Sequence, residues 1–420
     1  MGTLILLGLI IRLILLFISN SHPDVGNHLD WGIRFWLYSP QKFYDQSVWS
    51  VSWPNQPFAS IYLFAGISFL KDLLYNFFLY LNNTLPLFPS KLIWILETNL
   101  HVWLVKLPFI LSDLGIAVLI GHIVKKYKPQ YSLIAAALFL FNPITIYNST
   151  VWGQTDSLIN LLAISGLYLT FNKKYFWGTL LFFMSFAFKM SLVIYLPIFA
   201  ILLFKNLKDI KKILPASLLS LTLLFLITLP FSWGQNPFLW IHKLYTYYVF
   251  SHQGNMLNGN AFNVWFISFG ADLTRQDNIT VLSYLTAKTV GYLLTLPLLF
   301  FVWLKLFNTK KITLDYLLYS CLVTAFVSFC LLTNMHERYL YPIFPLMTIL
   351  LFIRPKAISL ATYSILSIIH LINLYNLWFY PDLPFLKQIL IDQNFMIGKV
   401  LSLWLIFYCG KFLLDYFKSD

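Results

Sequence analysis

Long apolar runs, separated by short polar or basic segments, follow one another along almost the whole chain. A helix needs about 20 mainly apolar residues to cross a bilayer core of ~30 Å, and most of the runs approach that length. The pattern therefore predicts an all-α, polytopic transmembrane bundle of about 12–14 helices. The approximate spans are 3–18, 57–80, 104–124, 129–147, 157–172, 175–188, 192–204, 213–232, 280–304, 312–332, 341–353, 357–379 and 395–416.

The composition supports this class of protein, because 59% of the 420 residues are hydrophobic and only 11% are charged. The net charge of +13 comes largely from lysine-rich segments between the apolar runs. Such segments face the cytoplasm in membrane proteins. The positive charge therefore reflects cytoplasmic loops and gives no reason to expect a nucleic-acid partner. Membrane lipids are expected partners because the chain is a membrane protein.

The basic segments define the expected topology. They lie at 125–128, 173–174, 205–212, 305–311 and 354–356, and pairs of apolar spans separate them. The loops between them then face the extracytoplasmic side of the cell membrane. The region 57–103 breaks the alternation, so either 57–80 is re-entrant or part of 85–103 crosses back.

We treat residues 1–420 as a single membrane domain with two modules. Residues 1–232 form a catalytic-side module that carries the first extracytoplasmic loop, 19–56. Residues 233–420 add the C-terminal helices and a long loop, 233–279. An amphipathic segment at 237–250, rich in aromatic residues, predicts a juxtamembrane helix at the extracytoplasmic surface. Short spans such as 192–204 predict an enclosed cavity on that side.

A polar stretch after the first apolar run is the first candidate site. Residues 21–31 hold two histidines and two carboxylates, Asp24 and Asp30. A carboxylate at the edge of a membrane bundle suits proton abstraction, so Asp24 is the candidate general base and Asp30 its rival. His28 and Trp31 are candidate substrate contacts in the same stretch. The alternative is that these carboxylates only cap a helix.

Three further polar groupings fall on the same predicted side, at 141–143 with 152–157, at 188–190 and at 335–342. Each has a structural alternative: a helix cap for Asp156, an interfacial position for Lys189, and an ion pair between Glu337 and Arg338. Because charges inside a membrane bundle are expensive, their convergence favours a site. The candidate substrate-binding residues are Trp152, Gln154, Asp156, Lys189, His336, Glu337, Arg338 and Tyr339.

This set of side chains suits group transfer from a lipid phosphate. A phosphate leaving group needs cationic stabilisation, for which Lys189, Arg338 and His336 are candidates. The acceptor hydroxyl needs one base, Asp24. No nucleotide-binding glycine motif is present, no cofactor is expected, and the histidine and carboxylate spacing in 22–30 is not diagnostic of a metal site.

The order of these motifs resembles the GT-C superfamily of integral-membrane glycosyltransferases, including bacterial and archaeal mannosyltransferase-related proteins and the lumenal glucosyltransferases that use dolichyl-phosphate-glucose. The resemblance covers nearly the whole chain. The motifs that carry it are Pro23-Asp24 with Trp31, Phe141-Asn142-Pro143 with Trp152-Gly153-Gln154 and Asp156, Phe188-Lys189-Met190 with Pro197, Asn260-Ala261-Phe262-Asn263 with Trp265, and His336-Glu337-Arg338-Tyr339 with Pro342.

The resemblance implies an inverting, single-displacement transfer of a hexose, such as mannose or glucose, from a polyprenyl-phosphate-sugar donor. It implies that Asp24 is the base and that Lys189 and 336–338 lie near the donor phosphate or the acceptor. Asn263 and Trp265 join the candidate contacts through their motif. The acceptor is a lipid-linked glycan, a polymer or a protein. The segment 52–57 departs from the Tyr-Pro-Pro found in many relatives, so details of acceptor binding do not carry over.

Two other classes remain open. A lipid-linked sugar transporter or flippase would use a similar cavity but needs a polar path to both faces, whereas the polar motifs cluster on one side. A non-catalytic scaffold with the same fold would tolerate loss of Asp24. The sequence contains no convincing internal repeat, which counts modestly against the usual transporter architectures.

Overall fold

The computed structural model describes residues 1–250 and 255–418, apart from the side chain of residue 393. Within them the chain is almost entirely helical, and short 3-10 and π-helical turns join several of the helices. The helices are α1 Gly2–Ile18, α2 Pro23–Tyr38, α3 Phe58–Thr84, α4 Lys91–Tyr127, α5 Ser132–Leu140, α6 Pro143–Ile146, α7 Asp156–Phe171, α8 Tyr175–Phe188, α9 Leu196–Phe204, α10 Ile210–Thr228, α11 Pro237–Lys243, α12 Val264–Phe269, α13 Ala287–Asn308, α14 Leu314–Leu331, α15 Ile343–Ile353, α16 Leu360–Tyr375 and α17 Pro384–Lys418.

The fold is an all-α polytopic bundle. In the described part of the chain, 6 helices are long and apolar enough to cross a membrane, or up to 8 if each of two bent pairs forms one span. Four shorter apolar helices lie among them, at 156–171, 175–188, 190–204 and 360–375. The finer count of 12–14 crossings stays a prediction.

One predicted span begins later than expected. We predicted a helix from residue 280, but Thr280–Leu282 and Leu285–Thr286 pair as a small antiparallel hairpin, β1 and β2. Ser283 turns the chain with a φ of 47°, in the left-handed region. Helix α13 then starts at Ala287, where the Thr286 hydroxyl accepts the Thr289 N–H and caps the helix.

The chain turns sharply between the first two helices. Helix α2 lies at 89° to α1, so it runs across the end of the bundle. Pro23 occupies the first turn of α2, and His22 Nδ1 accepts the Asp24 N–H as the N-cap. The sequence pattern predicts a loop at 19–56, so this helix is a correction to it. Asp24 instead stands in the first turn of a helix, at what we call the site face of the bundle.

The long helices α3 and α4 occupy the region in which the predicted topology breaks. Lys106 of α4 bonds the Asn20 carbonyl just after α1, while Gly121 packs beside Met1, so α1 and this part of α4 run side by side in opposite directions. At the start of α3, the Ser60 hydroxyl bonds the Phe188 carbonyl.

Helix α4 is a single helix of 37 residues. Together, α3 and α4 form a hairpin of two long helices, and each is long and apolar enough to cross a membrane. The two alternatives for 57–103 therefore stay predictions. Glu97 lies within α4 and is exposed.

A break in the fourth predicted span shapes the site face. Helices α5 and α6 with the following π-helical turn, residues 147–152, are bent by 48°. The side-chain oxygen of Asn142 caps α6 by accepting the Ile144 N–H. Its side-chain NH2 group donates to the hydroxyls of Tyr363 and Ser367 of α16. Gly153 follows with a φ of 88°, and a Cβ there would meet Val25 at 2.8 Å, so glycine suits this turn.

Lys106 fastens three segments together at this turn. Its side chain is fully buried, and its ammonium donates to the carbonyls of Asn20 at 3.1 Å and Val151 at 2.9 Å. The lysine therefore joins the corner after α1, the middle of α4 and the turn before Gly153. Those three segments carry Asp24 and Gln154 into one place.

The main core lies around α14, which is buried over almost its whole length. Its cluster of buried apolar side chains draws on both predicted modules, from Leu114 to Tyr416. The site face lies at the C-terminal end of α14. The core thus holds the chain segments of the N-terminal and C-terminal modules against each other directly below the site.

A buried ion pair crosses this core. Arg12 of α1 lies 3.3 Å from Asp113 of α4, and neither side chain has exposed surface. Asp113 also accepts hydrogen bonds from Ser149 at 2.5 Å and Tyr341 at 2.8 Å, while Arg12 donates to Thr145 at 3.1 Å. Both oxygens of the Asp113 carboxylate therefore have partners within the scaffold.

We expect Asp113→Asn to lower the free energy of unfolding by about 3–5 kcal/mol, because it leaves the buried Arg12 guanidinium without its counterion. The matched control is Asp315→Asn. Asp315 pairs with Arg354 at 3.0 Å, but these side chains are 29% and 19% exposed, so its loss should cost about 0–1 kcal/mol. Thermal unfolding of purified protein in detergent measures both. Equal destabilisation by the two variants would contradict the assignment.

Candidate functional site

The structure brings the four predicted polar groupings together at the site face. Gln154 reaches Asp24 from the turn after Gly153, and Arg338 reaches it from the 3-10 turn Glu337–Leu340. Lys189 follows α8 and pairs with Asp156. Residues separated by more than 300 positions in the chain thus form one cluster of charges.

Asp24 holds the centre of the cluster. Gln154 Nε2 donates to Asp24 Oδ2 at 2.5 Å, and Arg338 Nη1 lies 3.6 Å from the same oxygen. Burial by itself raises the pKa of Asp24, but Arg338 and His22 more than offset this and hold the pKa well below the usual 3.8. Because its pKa is depressed, the carboxylate is ionised near pH 7. Its side chain is 29% exposed, so it is also accessible.

His22 lies beside this carboxylate. Its Nδ1 is 3.1 Å from the Asp24 backbone nitrogen, whose N–H it accepts, and 3.5 Å from Asp24 Oδ2. The ring stacks near Trp152, with centroids 4.3 Å apart.

Arg338 links the two halves of the cluster. It pairs with Glu337 at 2.9 Å, as the structural alternative predicted, and it also approaches Asp24. Its guanidinium lies over the rings of Trp152 at 5.9 Å and Tyr339 at 5.7 Å. Its Nε is buried without a hydrogen-bond partner among the described residues. The guanidinium thus retains donor capacity for an anion.

Lys189 and Asp156 form the second charged pair, at 2.9 Å. Lys189 is 6% exposed, so it does not extend to a membrane interface, and its ammonium lies 5.2 Å from the ring of Tyr339. Burial lowers the pKa of Lys189, partly opposed by Asp156. Asp156 lies in the first turn of α7, but its Oδ2 has no partner among the described residues. A cap alone does not explain it.

The rival carboxylate has a different position. Asp30 accepts hydrogen bonds on both oxygens, from Arg34 at 2.7 Å and from the Ser50 N–H at 2.9 Å. Trp31 is buried and donates to the Ser52 carbonyl at 2.9 Å. Both residues hold the loop after α2 in place. The geometry therefore favours Asp24 over Asp30 as the group free to accept a proton.

His28 is a buried neighbour of the cluster. Its ring stacks on Phe64 with centroids 4.3 Å apart, and Gln56 lies 3.4 Å from its Nε2. Burial lowers the pKa of His28 to about 3, and Lys189 and Arg338 act in the same direction although Asp24 opposes them. The ring is neutral near pH 7. It supports α2 against α3 as part of the wall of the site.

His336 differs from its expected role as a cation. Burial and Arg338 lower the pKa of His336 to about 3, so the ring is neutral at physiological pH. It packs on Gly259, whose backbone bonds Met335 and Glu337 on either side of it. The charge on the site therefore comes from Arg338 and Lys189, and His336 fixes the turn that presents Arg338.

Asn263 and Trp265 have structural bonds. The side-chain oxygen of Asn263 caps α12. Its side-chain NH2 group donates to the Phe329 carbonyl at 3.2 Å. Trp265 Nε1 donates to the Leu331 carbonyl at 3.0 Å. These bonds attach α12 to the end of α14. Their predicted substrate contacts have no support in these bonds, which use the polar groups within the scaffold.

An aromatic wall near Asp24 was missed by the sequence analysis. Trp378 lies 4.9 Å from His22 and 5.5 Å from Trp152, measured between ring centroids. Its neighbours Leu377 and Phe379 have φ values of 71° and 51°. Bulky residues rarely adopt this left-handed conformation, and such strain clusters at functional sites. The run of three aromatic residues at 378–380 was the available signal.

Taken together, the cluster offers one exposed carboxylate, two nearby cations and an aromatic wall. A carboxylate of this kind accepts a proton, and the cations stabilise a developing negative charge. Among the described residues, no group of three or more His, Cys, Asp or Glu side chains is arranged to hold a metal ion. No family model matches the chain, and no curated protein gives a significant match.

We expect Gly259→Ala to lower the free energy of unfolding by about 1–3 kcal/mol through overpacking. The added Cβ would lie 2.6 Å from His336 Nδ1, and the flanking backbone hydrogen bonds prevent an easy shift. The control is Gly66→Ala in α3, where a Cβ meets nothing within 4 Å and the change should stabilise by about 0.4–1 kcal/mol. Thermal unfolding in detergent distinguishes them, and an unaffected Gly259→Ala protein would contradict the packing.

Proposed function

We propose that the protein is an inverting glycosyltransferase of the GT-C type, which moves a hexose from a polyprenyl-phosphate-sugar donor to an acceptor hydroxyl. The observation that carries the proposal is the Asp24 carboxylate, ionised and accessible, 3.6 Å from the Arg338 guanidinium. A base and an anion-stabilising cation in contact are what this transfer needs. The resemblance of the ordered motifs supplies the sugar and lipid classes.

In the proposed reaction, Asp24 takes the proton of the acceptor hydroxyl. The oxygen attacks the anomeric carbon from the side opposite the phosphate, and a new carbon–oxygen bond forms with inversion. The bond from the anomeric carbon to the phosphate oxygen breaks, and its electron pair leaves with the polyprenyl phosphate. Arg338 and Lys189 stabilise that anion. The lipid-linked glycan, polymer or protein acceptor gains the hexose, and no cofactor enters.

The Arg338 contact gives the base a means of control. In the free site Arg338 lowers the pKa of Asp24, which makes the carboxylate a weak base. A donor phosphate attracts the same guanidinium through bidentate hydrogen bonds. When Arg338 turns to the phosphate, Asp24 loses its strongest favourable charge and becomes more basic. Donor binding thus prepares the base for the acceptor.

The finer topology belongs to the same proposal. The lysine-rich loops face the cytoplasm and the site face opens to the extracytoplasmic side of the cell membrane. Helices α2 and α11 then lie at that surface as juxtamembrane helices. The short apolar helices complete the proposed 12–14 membrane-embedded segments. Polyprenyl-linked substrates reach the site from the surrounding bilayer.

The alternative, a lipid-linked sugar transporter, is less well supported. Transport requires a polar path from the site to the other end of the bundle. Directly below the site, Arg12 and Asp113 have no exposed surface and are bonded to each other and to Tyr341. The two charged side chains are therefore enclosed within the described scaffold and face no open channel.

We expect Asp24→Asn to reduce transfer by at least about 100-fold, because the amide does not accept the proton of the acceptor hydroxyl. Asp30→Asn is the matched control: it lies on the same helix, and its effect should be on stability with most of the turnover retained. Both variants are measured by the transfer of labelled hexose from polyprenyl-phosphate-mannose or -glucose to acceptors in a membrane lipid extract. Wild-type turnover by Asp24→Asn would refute the assigned base, whereas a non-catalytic scaffold would show no transfer with either variant or with wild type.

We expect Arg338→Gln to move the acid limb of the pH profile upward. In the free wild-type site, the depressed pKa keeps the Asp24 carboxylate ionised down to pH values below its usual pKa of 3.8. The acid limb of wild type therefore lies below that pH. Without Arg338 the effect of burial prevails, the pKa rises, and activity falls as the pH drops through the raised value. Arg338→Lys keeps the positive charge and serves as control.

The measurement is kcat/KM for transfer between about pH 4 and pH 8 for all three proteins, each normalised to its own maximum. This ratio reports the pKa of groups in the free enzyme, in which Arg338 contacts Asp24. Superimposable acid limbs for wild type and Arg338→Gln would show that Arg338 does not control the protonation of the base.

A further inference from the structure

A cavity of about 420 Å³ adjoins the charged cluster on the side of Lys189 and Asp156. It lies between the turn at 190–194, the C-terminal end of α14 and the turn at 332–335. Its volume is at the small end of the range for ligand pockets, about 300–1,000 Å³. The polar side chains in its lining include Asp156, Ser191, Asp277, Ser328, Asn334 and Tyr339.

The cavity lining contains buried polar atoms without hydrogen-bond partners. Asp156 Oδ2 and Ser328 Oγ belong to side chains that are 3% and 2% exposed as residues, and neither atom has a partner among the described residues. Ser191 Oγ and Asn334 Oδ1 are in the same condition. Leaving such a group unpaired costs about 1–3 kcal/mol, and more for a charged one. A ligand with several hydroxyl groups would satisfy them.

The charges of the lining select among ligands. The carboxylates Asp156 and Asp277 and the cation Lys288 line it, and the Lys288 ammonium lies 3.9 Å from Asp277. The Asp156 oxygen that has no partner among the described residues repels a phosphate but accepts a hydrogen bond from a hydroxyl. Apolar side chains such as Leu192, Phe329 and Met335 form the rest of the wall and suit the C–H faces of a sugar ring.

The position of the cavity connects it with the cluster. Asp156 presents Oδ1 to Lys189 at 2.9 Å and leaves Oδ2 unbonded, while Tyr339 borders the cavity and lies under both Lys189 and Arg338. A ligand in the cavity therefore shares a wall with the groups assigned to the phosphate. Its neutral part and an adjoining anion would find complementary surroundings on the two sides of that wall.

We propose that this cavity binds a neutral, hydroxyl-rich hexose unit, with Asp156 Oδ2 and Ser328 Oγ accepting its hydroxyl protons. The hexose belongs either to the lipid-linked donor or to the end of a glycan acceptor. Sugar binding itself stands apart from catalysis, whereas its place in transfer rests on the proposed function.

The test is equilibrium binding to the purified protein in nanodiscs, without turnover. The probes are farnesyl-phosphate-mannose and farnesyl-phosphate-glucose, farnesyl phosphate without sugar, and the disaccharides mannobiose and maltose. The variants are Ser328→Ala, which removes the hydroxyl, and Ser328→Leu, which fills the space. Ser320→Ala is the control on the same helix, because Ser320 is buried but bonds Tyr316 and Tyr416 away from the cavity.

We expect Ser328→Ala to weaken binding of one sugar-bearing probe class by about three- to tenfold, the effect of one lost hydrogen bond. Ser328→Leu should weaken it more, and farnesyl phosphate should bind all proteins equally. Weakening confined to the sugar phosphates assigns the cavity to the donor; weakening confined to the disaccharides assigns it to the acceptor.

Unchanged sugar binding in Ser328→Ala, with its thermal unfolding also unchanged, would overturn the proposal even if Ser328→Leu fails to fold. So would an equal loss for farnesyl phosphate. Because no transfer is measured, sugar binding in a protein that never transfers label would uphold the cavity while the proposed enzymatic function fails. The two hypotheses are therefore separable.

Discussion

A charge buried in an apolar bundle must have a partner, and this constraint organises the structure. The Arg12–Asp113 pair satisfies it completely, with Ser149, Thr145 and Tyr341 filling the remaining hydrogen bonds. Because those side chains come from the first helix, the middle of α4, the turn before Gly153 and the motif at 336–342, one network fixes the relative positions of all four. The site face is built on top of it.

The cluster around Asp24 follows the same rule less completely, and the difference separates scaffold from site. Arg338 contacts two carboxylates, but among the described residues its Nε has no partner and Asp156 bonds through only one of its oxygens. Such incomplete pairing is expensive in an enclosed site unless a ligand completes it. The fully bonded Asp30 and the half-bonded Asp24 lie on one helix, which shows how local the distinction is.

The sequence predicted where most helices lie, because apolar runs directly reflect burial in a bundle. It did not predict how far single helices extend: the apolar span 104–124 is only part of α4, which begins at Lys91. The motifs predicted which polar groups converge. They did not predict the neutral state of His336, which depends on burial and on Arg338, or the aromatic wall at Trp378, which depends on backbone strain from outside any motif.

Lys106 has a consequence for the order in which the protein is assembled. Its ammonium bonds carbonyls at Asn20 and Val151, which leave the ribosome about 130 residues apart. The corner that carries Asp24 can be inserted early, but it gains its fixed position only when α4 and then the turn at 147–153 have arrived beside it. A nascent chain that stops before Val151 therefore has the first helices without the cluster. The charged site is completed late in synthesis, after the membrane scaffold that shields it.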